Sequence, residues 1–331
     1  MQKIIPAILI FVLLLFSAGC TQFLNYPSAM QPPAHVPGLL NSSVNSTAGN
    51  LTVHFIYVGQ GDSILIQSPD GKTMLIDAGP TASSSRLVAY VKSLGISSLD
   101  IVLATHSHED HIGGMQAVLK NFPVGQFIYN GFPGTTSYYE DLMKTVSKKK
   151  IPLANVSAGD TIDLDPALTI DVLNPQKTYF DDPNNNSVVL RLTYRNETFL
   201  FTGDAAQGAE SAMLSDEENL SADVLKVGHH GDSRSTSTKF LQAVHPEIAV
   251  IEAGYNNDHH NPSNITLNRL KASNVTLYRT DLNGTVTIES DGSSLRVTTQ
   301  MDYPAYISLL PRSTFQTDSA TQSRLAQTGG T

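Results

Sequence analysis

Thr105-His106-Ser107-His108-Glu109-Asp110-His111-Ile112-Gly113-Gly114 follows directly on the apolar run Asp100-Ile101-Val102-Leu103-Ala104. That run reads as a buried strand, and Gly113-Gly114 opens onto a helical pattern over residues 115–120. A tight turn at a strand's end aims successive side chains at one point. With the spacing H-x-H-x-D-H, His106 and His108 can share one metal ion while Asp110 and His111 reach a second. A solvated polar turn is the ordinary reading of a lone histidine after a strand. Ligand-type residues spaced this closely read as a metal site.

Strand and helix patterns alternate on either side. Residues 51–58, with Val53, Phe55 and Tyr57 on one face, and 63–67 read as strands around the turn Gly59-Gln60-Gly61-Asp62. Ser68-Pro69-Asp70-Gly71 is a turn signal ahead of a strand at 73–76. Residues 84–94 carry Leu87, Val88, Val91 and Leu94 at helical spacing, closed by Gly95. Further strands are expected at 126–129, 168–173, 187–195, 198–202, 224–227 and 248–252, with helices at 137–149, 205–214, 236–244 and 263–272. Asn283-Gly284 reads as the turn of a hairpin between 277–279 and 285–288. Metal-binding residue types fall after strand ends in both halves. Two sheets packed face to face, with helices outside and a site along one edge, satisfy that arrangement.

Further words occur in order: Val58-Gly59-Gln60-Gly61-Asp62-Ser63, Leu75-Ile76-Asp77-Ala78-Gly79, Phe201-Thr202-Gly203-Asp204, Leu225-Lys226-Val227-Gly228-His229-His230-Gly231 and Tyr278-Arg279-Thr280-Asp281-Leu282-Asn283-Gly284-Thr285-Val286. With the H-x-H-x-D-H loop, this set resembles the metallo-β-lactamase superfamily. Within it, the set is similar to the hydrolase domain at the C-terminal end of ComEC-type competence proteins and to its stand-alone relatives. The resemblance runs over roughly residues 51–299. It implies an α/β fold, the four-layer αββα sandwich of that superfamily, holding two divalent metal ions. It also implies that Asp204 is the carboxylate bridging both ions, against the competing reading as a helix N-cap before Ala205. His229-His230 supplies one further ligand: one of the two ligates and the other orients substrate or donates a proton. The working assignment is His229 to metal and His230, with Asp110, to catalysis; spacing alone does not order the pair.

The same resemblance makes an absence informative. No histidine lies between His111 and Asp204, where lactamases, glyoxalase-type thioesterases and tRNA-processing nucleases of the superfamily place a third histidine for the first ion. Asn184-Asn185-Asn186-Ser187 stands there instead, as in the competence-type relatives. Asn186 is a site-edge candidate, beside its plain reading as a turn residue. The first ion then keeps an open shell, and a donor set without cysteine suits Zn²⁺ or Mn²⁺. Asp258-His259-His260-Asn261-Pro262 lies where relatives carry Gly-His-Pro, and His260 is preferred at the site edge. His54 reads as packed, His35 and His245 as structural, and Asp62 and Asp77 as braces for the metal loop. Asp232 departs from the serine usual after His-His-Gly, leaving Ser233 or Ser235 to anchor substrate.

Composition bounds the rest. The chain has 331 residues, a formal net charge of −9 and one cysteine, so no intrachain disulfide forms. Its lysines cluster only at 148–150, which leaves no basic face for sequence-independent grip on a duplex. Residues 1–20 read as a signal peptide: Lys3, an apolar run over 4–16, then Ser17-Ala18-Gly19-Cys20. That last word is similar to a lipoprotein processing site with Cys20 as the lipid-bearing residue. Residues 21–50 read as a flexible linker, 51–300 as the hydrolase domain and 301–331 as a disordered tail. Asn-x-Ser/Thr acceptors at Asn41, Asn45, Asn50, Asn155, Asn185, Asn196, Asn219, Asn264, Asn274 and Asn283 accord with a glycosylated, exported protein.

The expected function is therefore an exported metal-dependent hydrolase, a phosphodiesterase or nuclease using a metal-bridged hydroxide. It would be anchored through Cys20 at the extracellular face without a transmembrane channel of its own. Its substrate would be DNA or another phosphodiester. A phosphocholine-type envelope phosphodiesterase and a non-catalytic tethered binding module are the alternatives.

Overall fold

The computed structural model describes residues 49–216 and 218–301. The signal, tether and tail expectations fall on residues 1–48 and 302–331, outside the described residues. Among the described residues, fourteen strands form two sheets. The first contains β1 (Leu51–Phe55), β2 (Ile64–Gln67), β3 (Thr73–Ile76), β4 (Leu99–Ala104), β5 (Val124–Tyr129) and β6 (Leu153–Asn155), together with β13 (Val286–Ser290) and β14 (Leu295–Thr299). Its order is β14-β13-β1-β2-β3-β4-β5-β6, antiparallel as far as β3 and parallel from β3 to β6. The second contains β7 (Leu168–Asn174), β8 (Val189–Tyr194), β9 (Glu197–Phe201), β10 (Val224–Lys226), β11 (Ile248–Ile251) and β12 (Thr276–Arg279), in the order β12-β11-β10-β9-β8-β7.

Strand alternation explains the layering. Ile64 and Ile66, Met74 and Ile76, Ile101 and Leu103 face inward and meet Leu190, Leu192, Phe199, Phe201, Val224 and Val250 from the other sheet. Leu65, Leu75, Val102 and Phe127 point the other way. They pack against α1 (Ser84–Ser93), α3 (Met115–Asn121) and α4 (Ser137–Lys148) through Leu87, Val91, Val118, Leu119, Leu142 and Val146. α2 (Glu109–Ile112) is a single turn inside the metal-loop region. On the far side, α5 (Gln207–Ser215), α6 (Thr238–Val244) and α7 (Asn264–Ala272) cover β9, β10 and β11 with Ala209, Met213, Phe240, Leu241, Leu267 and Leu270. The result is helix, sheet, sheet, helix, the four-layer αββα sandwich. Each buried Leu, Ile or Phe removed from water contributes about 1.5–3 kcal/mol to holding the layers together.

One expectation is corrected. Asn283-Gly284 does not close a hairpin, because β12 pairs in parallel with β11 in the second sheet while β13 pairs with β1 and β14 in the first. The short helix α8 (Thr280–Asn283) carries the chain across the sandwich. Asn283 is buried, its Oδ1 accepting a hydrogen bond from Arg279 N at 2.9 Å, so this acceptor word is spent on the crossover. The hairpin at this end is β13–β14, turning through Asp291 to Ser294.

Candidate metal centre

The chemistry-bearing residues leave the C-terminal ends of strands: Asp77 after β3, His106 to His111 after β4, Asp204 after β9, His229-His230 after β10 and Glu252 after β11. In a sheet with parallel strands such ends form a crevice. The β1–β2 turn closes over them. Gly61 is required there: its φ is +135°, and a Cβ would lie 2.2 Å from the Asp110 carbonyl oxygen. The following amide, Asp62 N, donates to that same carbonyl at 3.2 Å. Gly114 makes the matching approach on the other side of the loop, where a Cβ would meet the Ala78 carbonyl at 2.1 Å.

Two donor groups converge. Asp110, His111, Asp204 and His230 form one and His106, His108 and Asp204 the other, with all ligand atoms of each group within 4.8 Å. Asp204 belongs to both. Its Oδ2 lies 3.2 Å from His111 Nε2 and 3.8 Å from His106 Nε2, and its Oδ1 lies 3.5 Å from His230 Nε2. His230 Nε2 is 3.2 Å from Asp110 Oδ2. Ligands bound at about 2.0–2.2 Å to one ion sit roughly 3–4 Å from each other, so these separations fit a cation between them. His111 Nε2, His230 Nε2 and Asp204 Oδ1 are buried atoms without a hydrogen-bond partner. Orphaned polar atoms of this kind are costly unless something satisfies them.

Charge tells the same story. Burial opposes a charged His111, but the Asp204, Asp77 and Asp110 carboxylates hold its pKa well above the ordinary value. Burial likewise opposes a charged His230, yet Asp204 and Asp62 push it up to about 10. Burial also works against the Asp204 carboxylate, and His111, His230 and His229 hold it well below the usual range. The cluster is an anionic pocket that draws positive charge, as protons or as metal ions.

Asp77 and Asp62 stand behind the histidines. Asp77 Oδ2 accepts from His111 Nδ1 at 2.7 Å and from the Thr105 hydroxyl at 2.7 Å, while Oδ1 accepts from Thr105 N at 2.8 Å. A carboxylate on the far nitrogen fixes the tautomer that leaves Nε2 free to ligate. Asp62 Oδ1 lies 3.2 Å from His230 Nδ1, beside the Glu252 carbonyl that takes that nitrogen's hydrogen bond at 2.9 Å.

The geometry reverses the working assignment of the histidine pair. His229 and His230 both adopt left-handed backbone, φ 49° and 54°, between Gly228 and Gly231. That tight turn sends His230 into the donor group, whereas His229 remains partly open with its Nε2 3.6 Å from Asp204. Single left-handed residues cost roughly 1–3 kcal/mol, and the surrounding hydrogen bonds hold both. Asp204 is no helix cap either, since Ala206 occupies that position of α5. Asn186 is corrected as well: its amide closes on Phe180 N and O at 2.8 Å each and braces its own loop. Asn184 lines the cleft instead, with its Oδ1 unpartnered. His259, not His260, lines the cleft. The Ser235 hydroxyl donates to Gly228 O at 2.7 Å and is buried, so it holds the turn and does not face substrate.

The cleft above the donors measures about 750 Å³. Arg86 and Arg234 stand in its walls with Gln60, Ser83 and Asn261. Arg234 is tied to Asp232 at 3.0 Å, whereas Arg86 rests over the Tyr57 ring at 5.5 Å.

Sequence reasoning missed a buried triad beneath the site. Lys226 is fully buried on β10, its Nζ 2.5 Å from Asp62 Oδ2 and 3.3 Å from the Gly203 carbonyl. Glu252, equally buried, accepts from Ser63 N at 3.1 Å. A charged residue ending each of two otherwise apolar neighbouring strands was the available signal.

The chain belongs to the metallo-beta-lactamase superfamily, whose family model matches residues 56–254. It is 32% identical over 272 residues to ComE operon protein 3 of Bacillus subtilis, covering 77% of this chain and 34% of that protein. It is 34% identical over 228 residues to competence protein ComA of Neisseria gonorrhoeae, covering 68% of this chain and 30% of that one. The chain thus spans about a third of the length of these curated relatives. Among solved structures it is similar to the metallo-beta-lactamase fold protein YhfI from Bacillus subtilis, at 18% identity and TM-score 0.46, covering 69% of this chain and 95% of that one.

Proposed function

We propose that this protein is a two-metal phosphodiesterase acting on DNA or another phosphodiester polymer outside the cell. The observation that carries it is the pair of donor groups sharing Asp204 on the floor of a cleft walled by Arg86 and Arg234. His106, His108 and Asp204 would hold one ion, and Asp110, His111, His230 and Asp204 the other, either Zn²⁺ or Mn²⁺. Bound there, the ions supply a lowered water pKa and stabilisation of charge on oxygen. The chain's own residues do the rest. Arg86 and Arg234 orient the negative phosphate against the floor. The β1–β2 turn and the 259–261 loop narrow the mouth and limit water. His229, partly open and beside Asp204, lines the cleft where it orients the substrate, burial holding its pKa below the ordinary value.

The likeness to a competence protein favours DNA among these substrates. The net charge of −9 and the lack of a clustered basic face favour a single strand or an envelope phosphodiester over a duplex. Export and a lipid at Cys20 rest on the sequence words; among the described residues no helix is long and apolar enough to cross a membrane. Hydrolysis of bis-p-nitrophenyl phosphate by Zn²⁺- or Mn²⁺-loaded protein, abolished by Asp110→Ala, is the test. Stoichiometric metal without turnover would instead establish the binding-module reading. Turnover of a lactam but no phosphodiester would sink the substrate assignment.

A further inference from the structure

We propose that Lys226 is a positioning residue for the metal centre, a built-in cation that aligns the supports of Asp110 and Asp204 from opposite sheets. The inference rests on the two-ion reading above. Lys226 sits on β10 in the second sheet, and its ammonium reaches across to Asp62 on the β1–β2 turn of the first, at 2.5 Å. The amide of Asp62 holds the backbone of Asp110 through its carbonyl, at 3.2 Å. The ammonium also donates to the carbonyl of Gly203, the residue that delivers Asp204. From the other end of the same residue, the Lys226 carbonyl accepts from Thr202 at 2.7 Å. One side chain therefore ties the turn behind one metal-facing carboxylate to the turn that carries the other.

The triad also settles what would otherwise be a third cation site. Asp62, Asp77 and His111 bring their ligand atoms within 4.8 Å of one another. Lys226 already lies on Asp62, and the His111 Nδ1 proton already lies on Asp77. A third ion there would have to displace the protein's own positive groups. Lys226 thus keeps Asp62 as a support and out of the ligand set.

A fully buried ion pair is weak evidence of added stability, since well-packed neutral replacements are often as stable, whereas removing one partner strands the other. That asymmetry separates positioning from mere structure. Lys226→Met alone strands Asp62 and is expected to lower the melting temperature and weaken metal binding together. The double variant Lys226→Met/Asp62→Asn removes the closest pair together and leaves Glu252, whose pKa burial holds well above the ordinary value, to stay neutral, so its metal-free melting temperature is expected to recover most of the loss. If the pair positions the centre, the double variant still binds Zn²⁺ about 10- to 100-fold more weakly than the wild type, the usual effect of losing a group that orients ligands. Its Co²⁺ absorption spectrum shifts as well. Equilibrium dialysis of the full chain against Zn²⁺ reads the affinity. A recovered double variant that binds both ions within threefold of wild type overturns the inference and leaves the two-ion reading intact. A wild-type protein that takes up neither Zn²⁺ nor Mn²⁺ overturns both.

Discussion

Asp77→Asn is the most informative single change near the site, because it alters a proton count and almost nothing else. Asp77 is fully buried at φ 57°, a left-handed conformation that asparagine tolerates well. An asparagine Oδ1 can keep the 2.8 Å bond from Thr105 N. The new amide then faces the Thr105 hydroxyl and His111 Nδ1, both at 2.7 Å from the atom it replaces. The hydroxyl turns to accept, so one bond is lost outright, that of His111. Imidazole has two ways out. It can leave two donors opposed, or move its proton to Nε2, the atom 3.2 Å from Asp204 that faces the candidate metal group. Losing a hydrogen bond to a charged group costs about 1.5–3 kcal/mol, and about 1.4 kcal/mol is tenfold in affinity. Asp77→Asn should therefore weaken metal binding at the proposed Asp110, His111, Asp204 and His230 group by roughly 10- to 150-fold. Chelator-buffered titration with Zn²⁺ measures this, with circular dichroism to confirm an unchanged fold. A variant that keeps both ions within threefold of wild type would refute the tautomer argument.

Other perturbations read different parts of the structure. The raised pKa of His230, about 10 against an ordinary 6.5, stabilises the metal-free protein fully below pH 6.5, and that stability is lost as pH rises through 10. The metal-free melting temperature should fall over that window, and Zn²⁺ uptake at pH 7.5 should release at least one proton, measurable by calorimetry in buffers of differing ionisation enthalpy. Uptake with no proton release would contradict it. Gly61→Ala drives a methyl against the Asp110 carbonyl; overpacking costs about 1–3 kcal/mol and the positive φ a similar amount. The melting temperature should drop by about 4 °C or more, with phosphodiester turnover falling as Asp110 shifts. Arg86→Ala should raise KM for a single-stranded oligonucleotide roughly tenfold with little change in kcat, as expected for a phosphate contact at the rim; an unchanged KM removes Arg86 from the substrate.

The metal loop was legible because seven consecutive polar residues, Thr105 to His111, follow the apolar run Ile101 to Ala104, and tight turns leave little freedom over where they point. Asp204 was legible for the same reason at the end of β9. The order of His229 and His230 was not, since two successive left-handed residues decide it and histidine carries no propensity that announces them. Asn186 and Asn184 were likewise indistinguishable until the 3-10 turn at Pro183–Asn186 fixed which amide turned back on Phe180. The crossover at Asn283 was misread through a local rule: Asn-Gly favours hairpins, but strand partners are chosen by burial, and β1 and β11 compete for the two flanking segments. Lys226 and Glu252 were overlooked because a charge at a strand's end usually reaches solvent, and only the packing of two sheets buries both.

The pairing of β1 with β13 sets a schedule for assembly. Leu51, at the start of the body, is laid against Ser290, near its end. Every donor to the candidate metal groups precedes β13 in the chain, so a growing polypeptide owns its ligands long before the flank of β1 is covered. Such distant partners meet slowly, and an uncovered strand is sticky while it waits. A fragment clipped after residue 254 would keep every donor of the candidate metal groups yet present a raw seam to its neighbours.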